Sequence, residues 1–81
     1  MTLPIIGITM GDPTGIGPEI LVKALSMEEP FRACRPVVFG DREALSRAIR
    51  IQNLSATLEA VDRIPRDGYL PQKIFFFPLS Q

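Results

Sequence analysis

The sequence predicts an α/β fold, a mostly parallel sheet with helices on both faces. Three observations carry that prediction. Short apolar runs at residues 3–10 and 36–40 alternate with segments of helical period. A glycine-rich turn, GDPTGIGP at 11–18, joins the first run to the first helical segment. The segment KIFFFPL at 73–79 is continuously apolar after its lysine, as strands buried on both faces of a parallel sheet are.

Taken in order, LPIIGITM at 3–10 is too short for a helix and rich in isoleucine, so it reads as a buried strand ending at Gly11. From Pro18, a residue suited to a first helical turn, Ile20, Leu21, Ala24 and Leu25 mark one face of a helix. SMEEPFRACRP at 26–36 has a proline near each end and leaves room for at most a short helical turn. PVVFG at 36–40 predicts a second buried strand. Asp41 then stands at an N-cap position, ahead of a helix whose inner face is Ala44, Leu45, Ala48 and Ile49. Glu43 and Arg47, at i and i+4, are placed to pair on its surface. SATLEAV at 55–61 alternates loosely, as a third strand would, and RIPRDGYLPQ at 63–72 reads as a loop from its prolines and Asp67-Gly68.

The composition narrows the function. At 81 residues with 46% apolar and 22% charged side chains, the chain is of globular rather than disordered type. Nine basic and nine acidic residues cancel, and no Lys/Arg stripe offers a footprint for nucleic acid or an anionic membrane. Cys34 is the single cysteine, so no intrachain disulfide is expected, and its simplest role is a structural thiol. With neither a secretory signal pattern nor a spanning apolar run, a cytoplasmic location is expected. Histidine is absent, which removes the commonest neutral-pH base and the commonest metal ligand.

The turn is the segment where chemistry is concentrated. A glycine turn between strand and helix suggests anion binding at the helix start. A P-loop is excluded, because no lysine occurs before Leu21. The dinucleotide pattern G-x-G-x-x-G fits Gly15 and Gly17 but meets Ile20 at the third glycine, and Pro18 removes an N–H donor. Asp12 and Glu19 would repel a bare phosphate. Two acids on a stiff loop at the C-terminal edge of a strand suit hydroxyl, amine or amide donors better, so a ribose or carboxamide is the expected ligand group. Asp41 has the position of a ribose-binding acid, but an N-cap is the simpler role. Each glycine also has a plain reading, a positive φ or a close backbone approach.

ITMGDPTGIGPEI, followed by a helix and by CRPVVFGD, resembles the N-terminus of the 4-hydroxythreonine-4-phosphate dehydrogenase family. The turn is also similar to the GDGIGPE turn at the start of isocitrate and isopropylmalate dehydrogenases. The resemblance is strongest over residues 5–20, extends through Asp41 and fades beyond Leu54. It implies an isocitrate/isopropylmalate dehydrogenase-like fold of which residues 1–81 form the N-terminal portion, without an internal domain boundary. It implies NAD-dependent oxidation and decarboxylation of 4-hydroxythreonine 4-phosphate, or a related four-carbon phosphorylated acid, in pyridoxal phosphate biosynthesis by a homodimer. The divalent metal it implies is held by histidines that this chain lacks. By the same resemblance Gly11, Asp12, Pro13, Thr14, Gly15, Gly17 and Glu19 form a cofactor-binding, cleft-lining loop. No catalytic residue and no metal ligand is assigned within the chain, and the chain alone is expected to be inactive. Two other readings compete: a non-catalytic α/β module oligomerising through the Phe75–Phe77 edge, and a Rossmann-type nucleotide binder using Gly15, Gly17 and Asp41.

Overall fold

The computed structural model describes residues 3–9 and 17–78. Its elements in chain order are β1 (Ile5–Thr9), α1 (Pro18–Ala24), α2 (Glu29–Ala33), β2 (Arg35–Gly40), α3 (Arg42–Ile51), β3 (Thr57–Ala60) and β4 (Lys73–Pro78). The four strands form one sheet in the order β1-β2-β4-β3, with every neighbouring pair parallel. The parallel α/β class is therefore as the sequence predicts. The last strand in sequence lies between the second and the third.

The register sorts the side chains onto two faces. Ile8 pairs with Val38, Val38 with Phe76, and Leu58 with Ile74, so these residues share one face. That face meets Leu21, Val22 and Leu25 at α1 and Leu45 and Ala48 of α3 in a single core, with Phe31 of α2 packed at its margin. Val22, Val38, Leu45 and Phe76 have no solvent exposure. Helix α1, of seven residues, is too short to be stable by itself, and this burial is what holds it.

The opposite face carries Gly7, Val37, Phe39, Phe75 and Phe77. Here the residues after β3 do the covering. Tyr69 meets Phe75 edge to face, with ring centroids 5.0 Å apart and planes at 80°. Gly68 turns with φ +87°, and a Cβ there would lie 3.4 Å from the tip of the Phe75 ring. Arg35 adds a second tie, its guanidinium donating to the Arg66 carbonyl at 3.3 Å. The topology accounts for this division. The steps from β1 to β2 and from β2 to β3 run the same way across the sheet, so right-handed crossovers put α1 and α3 on one face. The return from β3 to β4 runs backwards, and its connection belongs on the other face. Among the described residues helices therefore cover one face and a loop covers part of the other.

Three local expectations change. Among the described residues β1 is an edge strand paired only to β2, and Ile5 and Ile6 are 43% and 45% exposed, so there it is not the buried strand expected. The inner face of α1 is Leu21, Val22 and Leu25, with Ile20 turned outward at 65% exposure. The Phe75–Phe77 run forms no edge: β4 is paired on both sides, Phe75 and Phe76 are buried, and Phe77 is half-buried. Oligomerisation through that run is thereby ruled out as an edge contact. No helix among the described residues is long and apolar enough to cross a membrane.

Candidate functional site

In an open parallel sheet the strands' carboxyl ends point at one rim, and ligands bind beyond it. On this rim β1 ends at Thr9, β2 at Gly40 and β4 at Pro78. Of the cleft-lining residues expected from the sequence, Gly11, Asp12, Pro13, Thr14 and Gly15 lie outside the described residues, as does Met10. Gly17 and Glu19 are described, at the entrance to α1.

Gly17 is the N-cap of α1, with extended backbone at φ −74° and ψ 162°, and Pro18 occupies the first turn. This conformation does not require glycine. Among the described residues a Cβ at Gly17 would meet only the Glu19 Oε1, at an ordinary 3.5 Å. Among the described residues neither a positive φ nor close packing therefore explains this glycine. The Gly17 carbonyl accepts from the Leu21 amide at 3.1 Å, which starts the helical ladder. Glu19 is exposed in the first turn, where the macrodipole favours an acid. Its carboxylate is in no ion pair among the described residues. Its backbone carbonyl accepts at 2.8 Å from Nε2 of Gln52, at the C-terminal end of α3.

Asp41 acts as the N-cap of α3. Its Oδ2 accepts from the Ala44 amide at 3.1 Å, and its backbone is extended. One carboxylate oxygen is thereby committed to the helix, as a cap rather than a ribose-binding acid uses it. Cys34 is half-buried and its Sγ lies 3.5 Å from the Pro30 carbonyl, a structural placement. No group of three or more His, Cys, Asp or Glu able to hold a metal ion occurs among the described residues.

Two surface features were not anticipated from the sequence. A shallow depression of about 820 Å³ lies between the end of β3 and the loop, with Glu59, Asp62, Arg63, Asp67, Lys73 and Phe75 on its walls. Lys73 and Glu59 pair across it at 3.6 Å, and the Lys73 ammonium lies 5.1 Å from the centre of the Phe75 ring. A second groove, of about 410 Å³, lies along the outer side of α1 between Ile20, Lys23, Met27 and Gln52. Both depend on which elements become neighbours in space, and neither has a local motif.

No family model matches the chain. Proteins named 4-hydroxythreonine-4-phosphate dehydrogenase do. One from Desulforapulum autotrophicum is 41% identical over 78 residues, covering 96% of this chain and 23% of that protein. One from Trichlorobacter lovleyi is 45% identical over 71 residues, covering 88% and 21%. A protein from Symbiobacterium thermophilum, provisionally named D-threonate 4-phosphate dehydrogenase, is 47% identical over 67 residues, covering 83% and 20%. A crystal structure of a 4-hydroxythreonine-4-phosphate dehydrogenase from Burkholderia phymatum superposes with a TM-score of 0.85 at 35% identity, over 98% of this chain and 24% of that one. The chain is thus related in sequence and in fold to dehydrogenases of that name, and it spans about a quarter of their length.

Proposed function

We propose that this chain belongs to the 4-hydroxythreonine-4-phosphate dehydrogenase family and supplies its glycine-turn portion. The observation that carries the reading is similarity along nearly the whole chain, 96% of it at 41% identity, together with the 0.85 TM-score. The substrate is 4-hydroxythreonine 4-phosphate or a close four-carbon phosphorylated acid. D-threonate 4-phosphate is the first competitor, since it gives its name to a relative with 47% identity. The setting proposed is pyridoxal phosphate biosynthesis in the cytoplasm, with a homodimer as the assembled enzyme.

In this reading NAD is the hydride acceptor, and the segment from Gly11 to Glu19 lines its cleft. Support comes from a glycine whose missing side chain the described fold does not explain, and from an exposed carboxylate able to accept from ribose hydroxyls or a carboxamide. Gly11, Asp12, Pro13, Thr14 and Gly15 shape the approach. These residues bind and orient; none transfers the proton. No metal-dependent step is assigned to the chain, which has no histidine.

The test is a chimera in which residues 1–78 replace the matching segment of the Burkholderia phymatum enzyme, assayed for NADH formation with 4-hydroxythreonine 4-phosphate and with D-threonate 4-phosphate. Turnover, reduced on Asp12→Ala chiefly through nucleotide KM, is expected. A folded chimera inactive on both substrates would overturn the assignment. The isolated chain is expected to form no NADH.

A further inference from the structure

We infer that Gln52 is a positioning residue: its side-chain amide clamps the first turn of α1 and so fixes the point at which the glycine turn joins the body of the fold. The functional meaning rests on the reading above, in which that turn lines the nucleotide cleft. The clamp itself rests on geometry alone.

Helix α1 has its buried anchors at Leu21 and Val22, one turn after its start, and Leu25 follows at its C-cap. Between the end of β1 and Leu21 the described residues are Gly17, Pro18, Glu19 and Ile20. Glu19 and Ile20 are exposed, and Gly17 makes no side-chain cap bond. So short a helix frays at an end that burial does not hold. The Gln52 Nε2 reaches across from α3 to the Glu19 carbonyl at 2.8 Å, a contact between residues 33 apart in sequence. Among the described residues no other side chain hydrogen-bonds to this turn. The same nitrogen lies 3.3 Å from the Ala48 carbonyl, and the amide group has two N–H donors, so both carbonyls can be served. The Ala48 contact orients the side chain on its own helix, and the shorter bond reaches the neighbour. The strand end and the helix start that flank the turn then have separate anchors: β1 is paired to β2, and α1 is tied to α3.

Amide hydrogen exchange on the purified chain tests the clamp without any assay of turnover. Gln52→Met keeps the length of the side chain and removes the donors. The Leu21 amide, bonded to the Gly17 carbonyl, is expected to exchange roughly 2- to 10-fold faster, the loss of one net hydrogen bond. Val38 and Phe76 in the sheet should not change. Gln52→Lys, which restores N–H donors at similar reach, should return Leu21 towards its original rate. Faster exchange confined to Asn53 and Leu54 would show that Gln52 merely finishes its own helix, and would overturn the inference. So would acceleration spread equally over Val38 and Phe76, which would mean general loosening. A chimera without turnover would defeat the dehydrogenase reading and leave this result standing. An indifferent Leu21 amide would defeat the clamp whatever the chimera does.

Discussion

A Cβ placed on Gly7 would lie 2.8 Å from Cε2 of the Phe39 ring on the neighbouring strand. The ring cannot simply swing aside, because its other side stacks on Phe77 with centroids 5.0 Å apart and planes within 9°. Gly7 therefore sets the width available to an aromatic ladder on the sheet face that bears no helix among the described residues. Gly7→Ala is expected to destabilise by about 1–2 kcal/mol, the usual cost of forcing side chains from their packing. Phe39→Leu should relieve most of that cost, so a double-mutant cycle read by urea denaturation should show coupling above about 0.5 kcal/mol. Additive effects would mean that the ring moves freely.

Asp41 separates a structural role from a binding role. Asp41→Ala loses the bond to the Ala44 amide and should cost about 1 kcal/mol, while Asp41→Asn, which can still accept, should cost much less. Nucleotide affinity in the chimera should be the same for all three. A loss of affinity without a loss of stability would revive the Rossmann-type reading.

Much of this fold is written locally. Asp41 and the spacing of Leu45 and Ala48 specify α3, and the Glu43–Arg47 pair forms at 3.7 Å as the i, i+4 rule predicts. Pro18 marks the start of α1, and the Asp67-Gly68 pair marks a turn with positive φ. What could not be read is set by neighbours in space. Ile20 and Leu21 are equally apolar, and only the placement of the sheet and α3 decides which of them is buried. β1 is as apolar as a central strand, yet its place in the sheet order puts it at an edge. Tyr69 lies in a loop, as its sequence surroundings predict, but nothing local says that it packs on Phe75. The resemblance carried by GDPTGIGPE led to the correct relatives. The placement of Gly17 and Glu19, and the Gln52 contact behind them, became visible only in three dimensions.

Phe76 and Phe77 are adjacent in sequence and should differ sharply on truncation. Phe76 is fully buried in the core shared with α1 and α3, with the Arg42 guanidinium 5.1 Å from its ring centre. Phe76→Ala should cost roughly 3–5 kcal/mol. A domain of this size has roughly 4–12 kcal/mol in total, so most of the cooperative thermal transition is expected to vanish. Phe77 is half-buried on the other face, and Phe77→Ala should leave a folded chain with a lowered Tm. Equal effects would contradict the division into two faces.

Tyr69 gives the chain a titration that can be followed without interference, since it is the single tyrosine and there is no tryptophan. Burial raises its phenol above the usual value, and the Arg35 guanidinium opposes part of that rise. Its hydroxyl donates to the Pro65 carbonyl at 2.8 Å, an interaction that only the protonated form makes. The folded state thus prefers neutral Tyr69, and its folded pKa lies above its unfolded value of about 10. The stabilisation is complete below the unfolded pKa and is lost as pH rises through the folded one. Two outcomes follow. The ultraviolet tyrosinate band should appear at higher pH in the native chain than in the urea-unfolded chain, and Arg35→Met should move it higher still. Tyr69→Phe should be less stable near neutral pH, where the bond to Pro65 is missing, yet lose less stability than the parent above about pH 10. A native band at or below the unfolded one would mean that the loop does not bury the phenol, and that the face opposite α1 and α3 is open around Phe75.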